Sequence, residues 1–483
     1  MKNTLSIALR LFAYASLAST PAFAQSWATH SGLPTARHRL AATVAKNTGG
    51  VNCILAFGGT DGGLNTYDTV EMLNPISNIW STRTSMPTQK SGMAAAVSNN
   101  GSGQRSYLAG GSLGGNGTTI FWEFDNIGNS WNTSLPQLPQ PRTYASAATG
   151  PNGFVYVFGG YDDVFPYFQN SVFCFDPVAG IWNTDTSWSY SIPNMPNRRQ
   201  KSVAATSCDG LIYVVGGGNS SDLLAMDVYD PTGNVWLTNN PITLTPWAPL
   251  PAPRYLEVTG AIGRDNRLYL IGGDGYPYET GVVDVYDPIT NSWGSGTPEP
   301  TTRNGQAAVA LGSRVFAVGG WKKFAGVQTA TESYGGLAQN GACVGVVPTN
   351  PIGWHYCTAV ASSVGLAAEI FPTGSDSEFY ADLVMHAEPV PNQPGIVYYG
   401  PNQIEMPFGD GFRCVGGNVT RLPVAFAQNN ILSVPVFRMN PDGTTSGPRA
   451  GQTVNFQAWF RDPQMPGGSG FNLSNGYTIT FVP

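Results

Sequence analysis

A positively charged side chain recurs at six places in the chain, each time three residues after a proline. Five are arginines and one is a lysine: Arg37, Lys90, Arg142, Arg199, Arg254 and Arg303. Guanidinium groups bind carboxylates through paired hydrogen bonds, so a ring of these cations would suit an anionic or carbohydrate ligand. The same side chains could instead tie loop carbonyls of neighbouring repeats together. The sequence leaves both interpretations open.

Aromatic and acidic residues lie in loops that follow a recurring glycine pair. The candidate binding residues in these loops are Tyr161, Asp162, Asp274, Tyr276 and Trp321. Aromatic rings stack on sugar faces, while the carboxylates would neutralise part of the cation ring. The loops run about eight to eleven residues, and loops longer than a hairpin needs usually bind or move. This pattern predicts a binding face for a glycan or a protein.

Signals for catalysis are sparse. No motif singles out Asp162, Asp163 or Asp274 as a general base. No G-x-S-x-G motif supports a serine nucleophile, and the glycine-rich stretch 110–115 precedes no helix, so it predicts no phosphate site. The histidines are scattered and no C-x-x-C occurs, so we expect no metal site and no cofactor. The sequence therefore names no catalytic residue.

The composition favours an all-β protein. The 483 residues include 59 glycines and 37 prolines, with 12% aromatic and only 11% charged residues. Such a chain is rich in turns and in strands held by aromatic and branched side chains. The net charge of −6 comes without a basic run, so no nucleic-acid partner is expected.

Residues 1–24 have the features of a signal peptide. Lys2 and Arg10 supply its positive charge, residues 11–17 form a short apolar core, and an A-x-A site precedes Gln25. This apolar run is too short to span a membrane, and no later run reaches that length. We expect an exported mature chain that starts at Gln25, without a transmembrane segment. It would lie in the periplasm, at the cell surface or outside the cell, where disulfides form.

A repeat of about fifty residues positions the candidate binding residues. Its glycine pair follows an apolar run six times: Gly58-Gly59, Gly110-Gly111, Gly159-Gly160, Gly216-Gly217, Gly272-Gly273 and Gly319-Gly320. Downstream, a tryptophan stands six positions after an Asp or Asn in five repeats, namely Trp80, Trp131, Trp182, Trp236 and Trp293. Each repeat thus predicts four antiparallel strands, the last begun by tryptophan.

These signatures together resemble kelch repeats over residues 25–336. The resemblance implies a six-bladed β-propeller, with one tryptophan per blade packed between blades. The sixth repeat lacks its own tryptophan, and Trp27 stands before Pro34 as Trp293 stands before Pro300. We therefore predict that the N-terminal strand completes the sixth blade, beside Val318 and Ser333, and closes the ring.

The chain after the repeats divides into a linker and a second domain. Residues 337–356 are rich in glycine and proline, and residues 357–483 alternate short apolar strands with turns, which predicts a β-sandwich. The second domain is similar to a C-terminal domain of exported planctomycete-type surface proteins. That resemblance implies a Cys357–Cys414 disulfide, with Cys343–Cys357 as the alternative. Cys53 and Cys174 lie in apolar strands and are expected to be buried free thiols.

Strand order places the cations and the loops after the glycine pairs on one rim of the propeller. We expect an exported recognition protein that binds a glycan or a protein through this rim. One alternative is a sugar-modifying enzyme, because the architecture also resembles six-bladed kelch sialic-acid epimerases. Another is a structural component of the cell surface. The chain departs from kelch-type copper oxidases, which need paired histidines, because only His30 and His38 fall in the repeats.

Overall fold

The computed structural model describes residues 26–481 apart from short gaps. The gaps are 49–50, 64, 101–102, 185–190, 222, 255–256, 276–277, 336, 338–353, 358, 361, 365–367, 374–382, 429, 440–444, 450 and 465–467. The predicted signal peptide and most of the predicted linker lie outside the described residues. All regular elements within the described ranges are β-strands. The chain divides into two compact units, Met1–Thr349 and Asn350–Pro483.

Thirty strands of the first unit lie within the described residues. The first fifteen are β1 (Ser26–Thr29), β2 (Ala41–Lys46), β3 (Asn52–Phe57), β4 (Val70–Asn74), β5 (Ile79–Arg83), β6 (Ala94–Asn99), β7 (Gln104–Ala109), β8 (Ser112–Leu113), β9 (Asn116–Gly117), β10 (Phe121–Asp125), β11 (Ser130–Asn132), β12 (Ser146–Thr149), β13 (Val155–Phe158), β14 (Val172–Asp176) and β15 (Ile181–Trp182). The next fifteen are β16 (Val203–Thr206), β17 (Ile212–Val215), β18 (Met226–Asp230), β19 (Val235–Leu237), β20 (Thr259–Ile262), β21 (Leu268–Ile271), β22 (Asp274–Gly275), β23 (Tyr278–Glu279), β24 (Val283–Asp287), β25 (Ser292–Ser295), β26 (Ala307–Leu311), β27 (Arg314–Val318), β28 (Trp321–Lys322), β29 (Gly326–Val327) and β30 (Thr331–Gly335).

Six four-stranded antiparallel sheets form the blades of a propeller. Their strand orders, from the centre outwards, are β2-β3-β4-β5, β6-β7-β10-β11, β12-β13-β14-β15, β16-β17-β18-β19, β20-β21-β24-β25 and β26-β27-β30-β1. The innermost strands lie beside one another in sequence order, and β26 lies beside β2. The ring is therefore closed with six blades, which confirms the fold predicted from the repeat.

The apolar cores lie between neighbouring blades rather than at the centre of the ring. Six clusters of buried side chains each combine residues of two adjacent blades, including one that joins the sixth blade to the first. In the first of these interfaces, Phe57 meets Phe124 edge to face at 5.8 Å. The second and third strands of a blade are consequently buried on both faces, as in β13 and β14. Propeller stability therefore depends mainly on contacts between blades.

The N-terminal strand closes the ring as predicted. β1 pairs antiparallel with β30, so that Trp27 stands opposite Tyr334 and Ala28 opposite Ser333. The rings of Trp27 and Tyr334 lie 5.3 Å apart. Because β1 occupies the outer edge of the sixth blade, this blade has four strands like the others.

The six tryptophans join each blade to the one before it. Each indole N–H donates to a backbone carbonyl of the segment that follows the preceding blade, at 2.8–3.1 Å. The pairs are Trp27–Thr297, Trp80–Ser31, Trp131–Thr84, Trp182–Pro136, Trp236–Pro193 and Trp293–Ala248. Their role is therefore structural, and Trp27 occupies the same place as the other five.

The glycine pairs are required by the close approach of neighbouring blades. The first glycine of every pair has φ between 53° and 67°, a left-handed conformation that favours glycine. At Gly110, a Cβ would lie 2.2 Å from the carbonyl oxygen of Arg142 in the next blade. Four other pairs show the same conflict with the repeat cation of the next blade.

The described part of the second unit has thirteen strands. They are β31 (Trp354–Tyr356), β32 (Glu369–Thr373), β33 (Val384–Glu388), β34 (Pro394–Gly400), β35 (Asn402–Phe408), β36 (Gly411–Gly416), β37 (Thr420–Arg421), β38 (Ala425–Phe426), β39 (Leu432–Pro435), β40 (Arg438–Met439), β41 (Thr445–Ser446), β42 (Thr453–Arg461) and β43 (Phe471–Thr480). A six-stranded sheet built on β31-β43-β42-β34-β37 packs against the three-stranded sheet β32-β33-β39. Their shared core includes Val397, Phe456, Met385 and Val434. This is the predicted sandwich.

The structure joins Cys357 and Cys414 in a disulfide with a Cα–Cα distance of 5.9 Å. Cys208 is also disulfide-bonded. Cys53 and Cys174 are free and buried in strands β3 and β14. Burial raises the pKa of the Cys53 thiol to about 11, so it stays protonated and inert.

Candidate binding site at the channel mouth

The six repeat cations lie inside the blades. Arg37, Arg142, Arg199 and Arg303 have no exposed surface, while Lys90 and Arg254 expose 1% and 5%. The expectation that these charged groups face a ligand is therefore corrected. Each cation is enclosed by its own blade and has no open face towards the solvent.

The second residue of each blade's third strand is the partner of that blade's cation. It is a carboxylate in four blades, giving the pairs Arg37–Glu71, Arg199–Asp227, Arg254–Asp284 and Arg303–Glu332. In the other two blades it is aromatic: Trp122 lies 5.8 Å from the Lys90 ammonium and Phe173 lies 5.0 Å from the Arg142 guanidinium. The cations also donate to strand carbonyls, as Arg37 does to Ala56 at 3.2 Å. They are thus structural ties within each blade.

The predicted loop residues lie on one rim, called the loop rim below. Its innermost backbone pairs include Thr143–Tyr161 and Asn304–Trp321, so the loops after the glycine pairs do meet the segments after the cations, as expected. Tyr161 is half-buried and stacks on Tyr167 at 5.9 Å. Trp321 is half-buried at the start of the β28–β29 hairpin.

The two predicted rim carboxylates already have partners, and one predicted residue is not described. Asp162 forms an ion pair of 3.1 Å with Arg142. Asp274 accepts a hydrogen bond from the side-chain amide of Asn304. Tyr276 lies outside the described residues.

A ring of six residues surrounds the mouth of the central channel, just beyond the repeat cations. They are Arg39, Gly92, Tyr144, Lys201, Glu257 and Gly305, and all have φ between 53° and 64°. Backbone hydrogen bonds link neighbours in this ring, for example from Gly92 to Arg39 at 2.9 Å and from Tyr144 to Gly92 at 2.8 Å. A side chain in this conformation costs about 1–3 kcal/mol, and such strain is concentrated at functional sites.

The four side chains of this ring converge and are called the mouth cluster. One oxygen of Glu257 accepts hydrogen bonds from Arg39 Nε at 2.7 Å and from Lys201 Nζ at 2.6 Å. Both cations also lie over the ring of Tyr144, with Arg39 at 5.4 Å and Lys201 at 4.7 Å. Tyr144 and Glu257 therefore hold two cations together at the channel mouth.

The mouth cluster keeps hydrogen-bonding groups open. Arg39 bonds Glu257 only through Nε, and its two terminal nitrogens have no partner among the described residues. The Arg39 side chain is 34% exposed. The second oxygen of Glu257 is likewise without a hydrogen-bond partner in the described part of the chain. A ligand that enters the channel mouth therefore meets the two open guanidinium nitrogens of Arg39 beside the open carboxylate oxygen of Glu257.

Charge pairing sets the protonation of the mouth cluster. Burial would raise the pKa of Glu257, but Lys201 and Arg39 hold it below its ordinary value. Burial would lower the pKa of Arg39, yet the Glu257 carboxylate raises it above the ordinary value. Both groups are therefore charged at neutral pH. A carboxylate with a lowered pKa is a weak general base there.

A cavity of about 190 Å³ opens below the mouth cluster. Its walls are the small side chains of the innermost strands, such as Ala42, Ala95 and Ala147. Enclosing ligand pockets usually measure roughly 300–1,000 Å³. This cavity therefore suits a terminal group or a single ring of a larger ligand.

Two further ionisable groups adjoin the mouth cluster. His38 is 6% exposed, and neither ring nitrogen has a partner among the described residues. Burial, with Arg39 nearby, lowers the pKa of His38 to about 4, so the imidazole is neutral. Asp274 is half-buried, and burial raises its pKa. Within the described ranges, no three His, Cys, Asp or Glu side chains come together as a metal site.

Sequence reasoning passed over the mouth cluster. Its residues stand two positions after the repeat cation, or three in the fifth blade, and they read Arg, Gly, Tyr, Lys, Glu and Gly around the ring. The available signal was this variation at an otherwise equivalent position. The residue types that recur in every blade stabilise the propeller fold, whereas this position, which differs from blade to blade, faces the channel.

Comparison with known proteins matches the first unit. The sequence profile of the KLHDC2/KLHL20/DRC7 Kelch-repeats domain matches residues 23–217 and 102–320. Kelch-like protein 23 of Mus musculus is 26% identical over 262 residues, which cover 52% of this chain and 41% of that protein. Kelch-like protein terF of Aspergillus terreus is 28% identical over 214 residues, covering 42% of this chain and 43% of that protein. The chain thus spans less than half the length of these relatives.

A solved structure shares the fold. The structure of YjhT superposes with a TM-score of 0.51 at 14% identity, covering 63% of this chain and 96% of YjhT. At this identity the likeness concerns the fold alone.

Proposed function

Because this chain belongs to the kelch-repeat family, we propose that it is a recognition module that binds an acidic sugar, free or at the end of a glycan, at the mouth of its propeller channel. The observation that carries the proposal is the open guanidinium edge of Arg39 beside the open oxygen of Glu257. A carboxylate would bind the forked nitrogens of Arg39, a geometry in which two parallel hydrogen bonds form.

A sugar acid suits the mixture of donors and acceptors at the mouth. Its carboxylate would bind Arg39, while its hydroxyl groups would donate to the free oxygen of Glu257. Asp274 lies close enough to Glu257 and Lys201 to interact electrostatically with both. With Asp274, two cations face two carboxylates, which favours a ligand with hydroxyl groups as well as a carboxylate over a bare polyanion.

The geometry favours recognition over catalysis. Glu257 already bonds two cations, and its lowered pKa makes it a poor proton acceptor near neutral pH. The small cavity would hold one ring while the rest of the ligand lies on the loop rim. The loop rim also exposes Phe165 and Phe324 by 79% and 90%, which offers apolar area to a longer glycan.

The proposal includes the compartment. We propose that the mature chain begins at Gln25 and acts outside the cytoplasm, in the periplasm, at the cell surface or beyond it. The support is the pattern of residues 1–24, with its charged start, apolar core and A-x-A site. No helix suited to crossing a membrane occurs within the ranges that the structure describes.

The test is a binding screen of the mature chain against glycans that end in sialic or uronic acids and against their neutral counterparts. We expect binding to the acidic set only. Arg39→Met should weaken it by about 10–100-fold, the usual effect of losing a hydrogen bond to a charged group. Arg198→Met is the matched control, because Arg198 is an exposed arginine of the same rim that bonds Phe168 instead.

The same variants distinguish the competing outcomes. Binding that survives Arg39→Met, or that ignores the carboxylate, would overturn the proposal. An array of acidic peptides is screened in parallel. If only the peptides bind, the partner of the mouth cluster is a protein and not a glycan. Absence of binding in both arrays would favour a structural component of the cell surface.

A further inference from the structure

The second unit contains a cavity that the proposed function does not use. It has a volume of about 360 Å³, within the range of small-molecule sites. Seven described residues line it: Ile396, Tyr398, Phe408, Arg413, Val419, Arg421 and Trp459. Five are apolar or aromatic and two are arginines.

The cavity lies on the outer face of the large sheet. On β34, side chains alternate, so Val397 enters the sandwich core while Ile396 and Tyr398 point to the opposite face. Trp459 of β42 stands opposite Ile396, and Arg421 of β37 stands opposite Tyr398, so all four share that face. The hairpin of β35 and β36 lies against β42 and supplies Phe408 and Arg413 from above.

The aromatic side chains at the edge of the cavity are held in place by packing but remain accessible. Phe471 contacts both Trp459, at 5.6 Å, and Phe408, at 5.5 Å, which fixes two aromatic side chains at the cavity edge. Trp459 remains half-buried, and Phe408 is 48% exposed. Neither aromatic side chain is enclosed by the protein, so a flat ligand can reach them.

Among the described residues, the two guanidinium groups have no acidic partner. Arg413 donates from Nε to the carbonyl of Val415 at 2.9 Å, and neither Arg413 nor Arg421 forms an ion pair with any carboxylate in the described part of the chain. Both lie close enough to Tyr398 to counteract the rise in its pKa that burial causes. The cavity therefore combines aromatic surface with two unneutralised positive charges, unlike the propeller, where the repeat arginines each meet a carboxylate.

We propose that this cavity is a second binding site, for a small ligand in which a flat ring carries a carboxylate or sulfonate group. The ring would lie against Trp459 and Phe408, and the anionic group would bind the donors of Arg413 and Arg421. The site is independent of the channel mouth and gives the second unit a ligand of its own.

The test uses 1-naphthoate as the probe and calorimetric titration of the full mature chain. We expect a single saturable site, with the uncharged analogue 1-naphthalenemethanol binding at least about tenfold more weakly. Arg413→Met and Arg421→Met should each weaken naphthoate binding by about tenfold or more, and the Lys variants should recover part of it. Naphthalene-1-sulfonate in a parallel titration distinguishes a carboxylate preference from a sulfonate preference.

Two controls keep the outcome decisive. Arg449→Met removes an exposed arginine of the same unit that does not line the cavity, and Arg39→Met changes only the channel mouth, so both should leave naphthoate affinity unchanged. A thermal melt verifies folding; if Arg413→Met misfolds, the exposed Arg421 still supplies the test. The proposal fails if naphthoate does not bind, if the neutral alcohol binds equally well, or if Arg421→Met has no effect.

Discussion

At the scale of single residues, buried cations are tolerated because a partner of the same blade meets each one. Arg37 and Glu71 are both almost fully buried and form an ion pair. Lys90 is equally buried but has the ring of Trp122 and the hydroxyl of Thr118, at 2.6 Å, in place of a carboxylate. Burial accordingly lowers the pKa of Lys90 to about 8. The cation at this position is thus stabilised by an ion pair in the first blade, and by an aromatic ring and a hydroxyl group in the second.

This difference predicts unequal effects of removing the two cations. Arg37→Met leaves the Glu71 carboxylate buried without its partner, so we expect a loss of about 3–5 kcal/mol in the free energy of unfolding. Lys90→Met removes a buried charge and strands no carboxylate, so we expect a loss of about 1 kcal/mol or less. Urea unfolding of both variants measures the contrast. The double change Arg37→Met/Glu71→Gln should recover most of the loss, and equal losses for the two single variants would contradict the pairing.

A second residue-scale prediction concerns pH. Arg303 lies between Glu332 and Glu299, which is 2.7 Å away, and burial raises the pKa of Glu299 from about 4.5 to about 7. The folded state therefore holds this proton more tightly than the unfolded chain. The resulting stability is fully present below pH 4.5 and is lost as the pH rises through 7, by at most about 1.4 kcal/mol per pH unit.

Glu299→Gln is the variant that tests this linkage. Its free energy of unfolding should depend less on pH between 5 and 8 than that of the wild type, as measured by urea unfolding at several pH values. Asp265→Asn is a useful comparison, because burial also raises the pKa of Asp265, while its nearby cation Arg267 is partly exposed and pairs more closely with Asp287. A wild-type profile that is flat over this range would contradict the assignment.

At the scale of elements, the ring is completed by one short strand. β1 contributes a ladder with β30, the indole bond from Trp27 to Thr297 and the side chain of Leu33, which is 1% exposed. Deleting residues 25–34 removes all three and leaves β30 as an uncovered edge. We expect the whole propeller to lose about 3 kcal/mol or more and to melt at a lower temperature in one transition.

Trp27→Phe is the conservative companion of that deletion. It keeps an aromatic ring against Tyr334 but loses the hydrogen bond to Thr297, so we expect a loss of only about 1 kcal/mol. Differential scanning calorimetry of both variants checks the order. A deletion variant that melts like the intact chain would exclude closure by β1.

The repeat made the strands and their pairing predictable. The site was harder to predict, because it depends on the direction in which each side chain points. Trp27 was identified because closure reuses a strand pairing that five other blades display. A structural role for Arg37 was one of two interpretations that the sequence left open, since the choice depends on whether the side chain turns towards β4 or towards the channel. Arg39, two positions later, points towards the channel because its left-handed backbone conformation changes the direction of the chain. The acidic residue of the third strand was visible in sequence, but its contact is set by packing within the blade.

At the scale of the whole molecule, the two units are stabilised differently. The propeller relies on six repeated interfaces between blades, whereas the second unit has a single sandwich core, which the disulfide between Cys357 and Cys414 reinforces. These cysteines are 57 positions apart, and a crosslink over that span stabilises by about 4 kcal/mol in the chain-entropy model. The second unit therefore depends on an oxidising environment more than its core alone would suggest.

Removing that crosslink should act on one unit only. In the Cys357→Ala/Cys414→Ala variant we expect the transition of the second unit to shift to lower temperature, while the transition of the propeller and glycan binding stay unchanged. Calorimetry combined with the glycan screen measures both. Cys53→Ala, which removes a free buried thiol of the propeller, is the control and should shift the other transition instead. A joint shift of both transitions would show that the units unfold together.

The pairing of β1 with β30 also has a consequence for how the chain is made. The two strands that close the ring are joined by some 300 residues of intervening chain, since Ser26 stands opposite Gly335. At a synthesis rate of roughly 5–20 residues per second, the first strand waits about 15–60 seconds for its partner to emerge. During that interval five complete blades can stack while the ring stays open. The first strand of the propeller to be synthesised is thus the last to find its place in the ring.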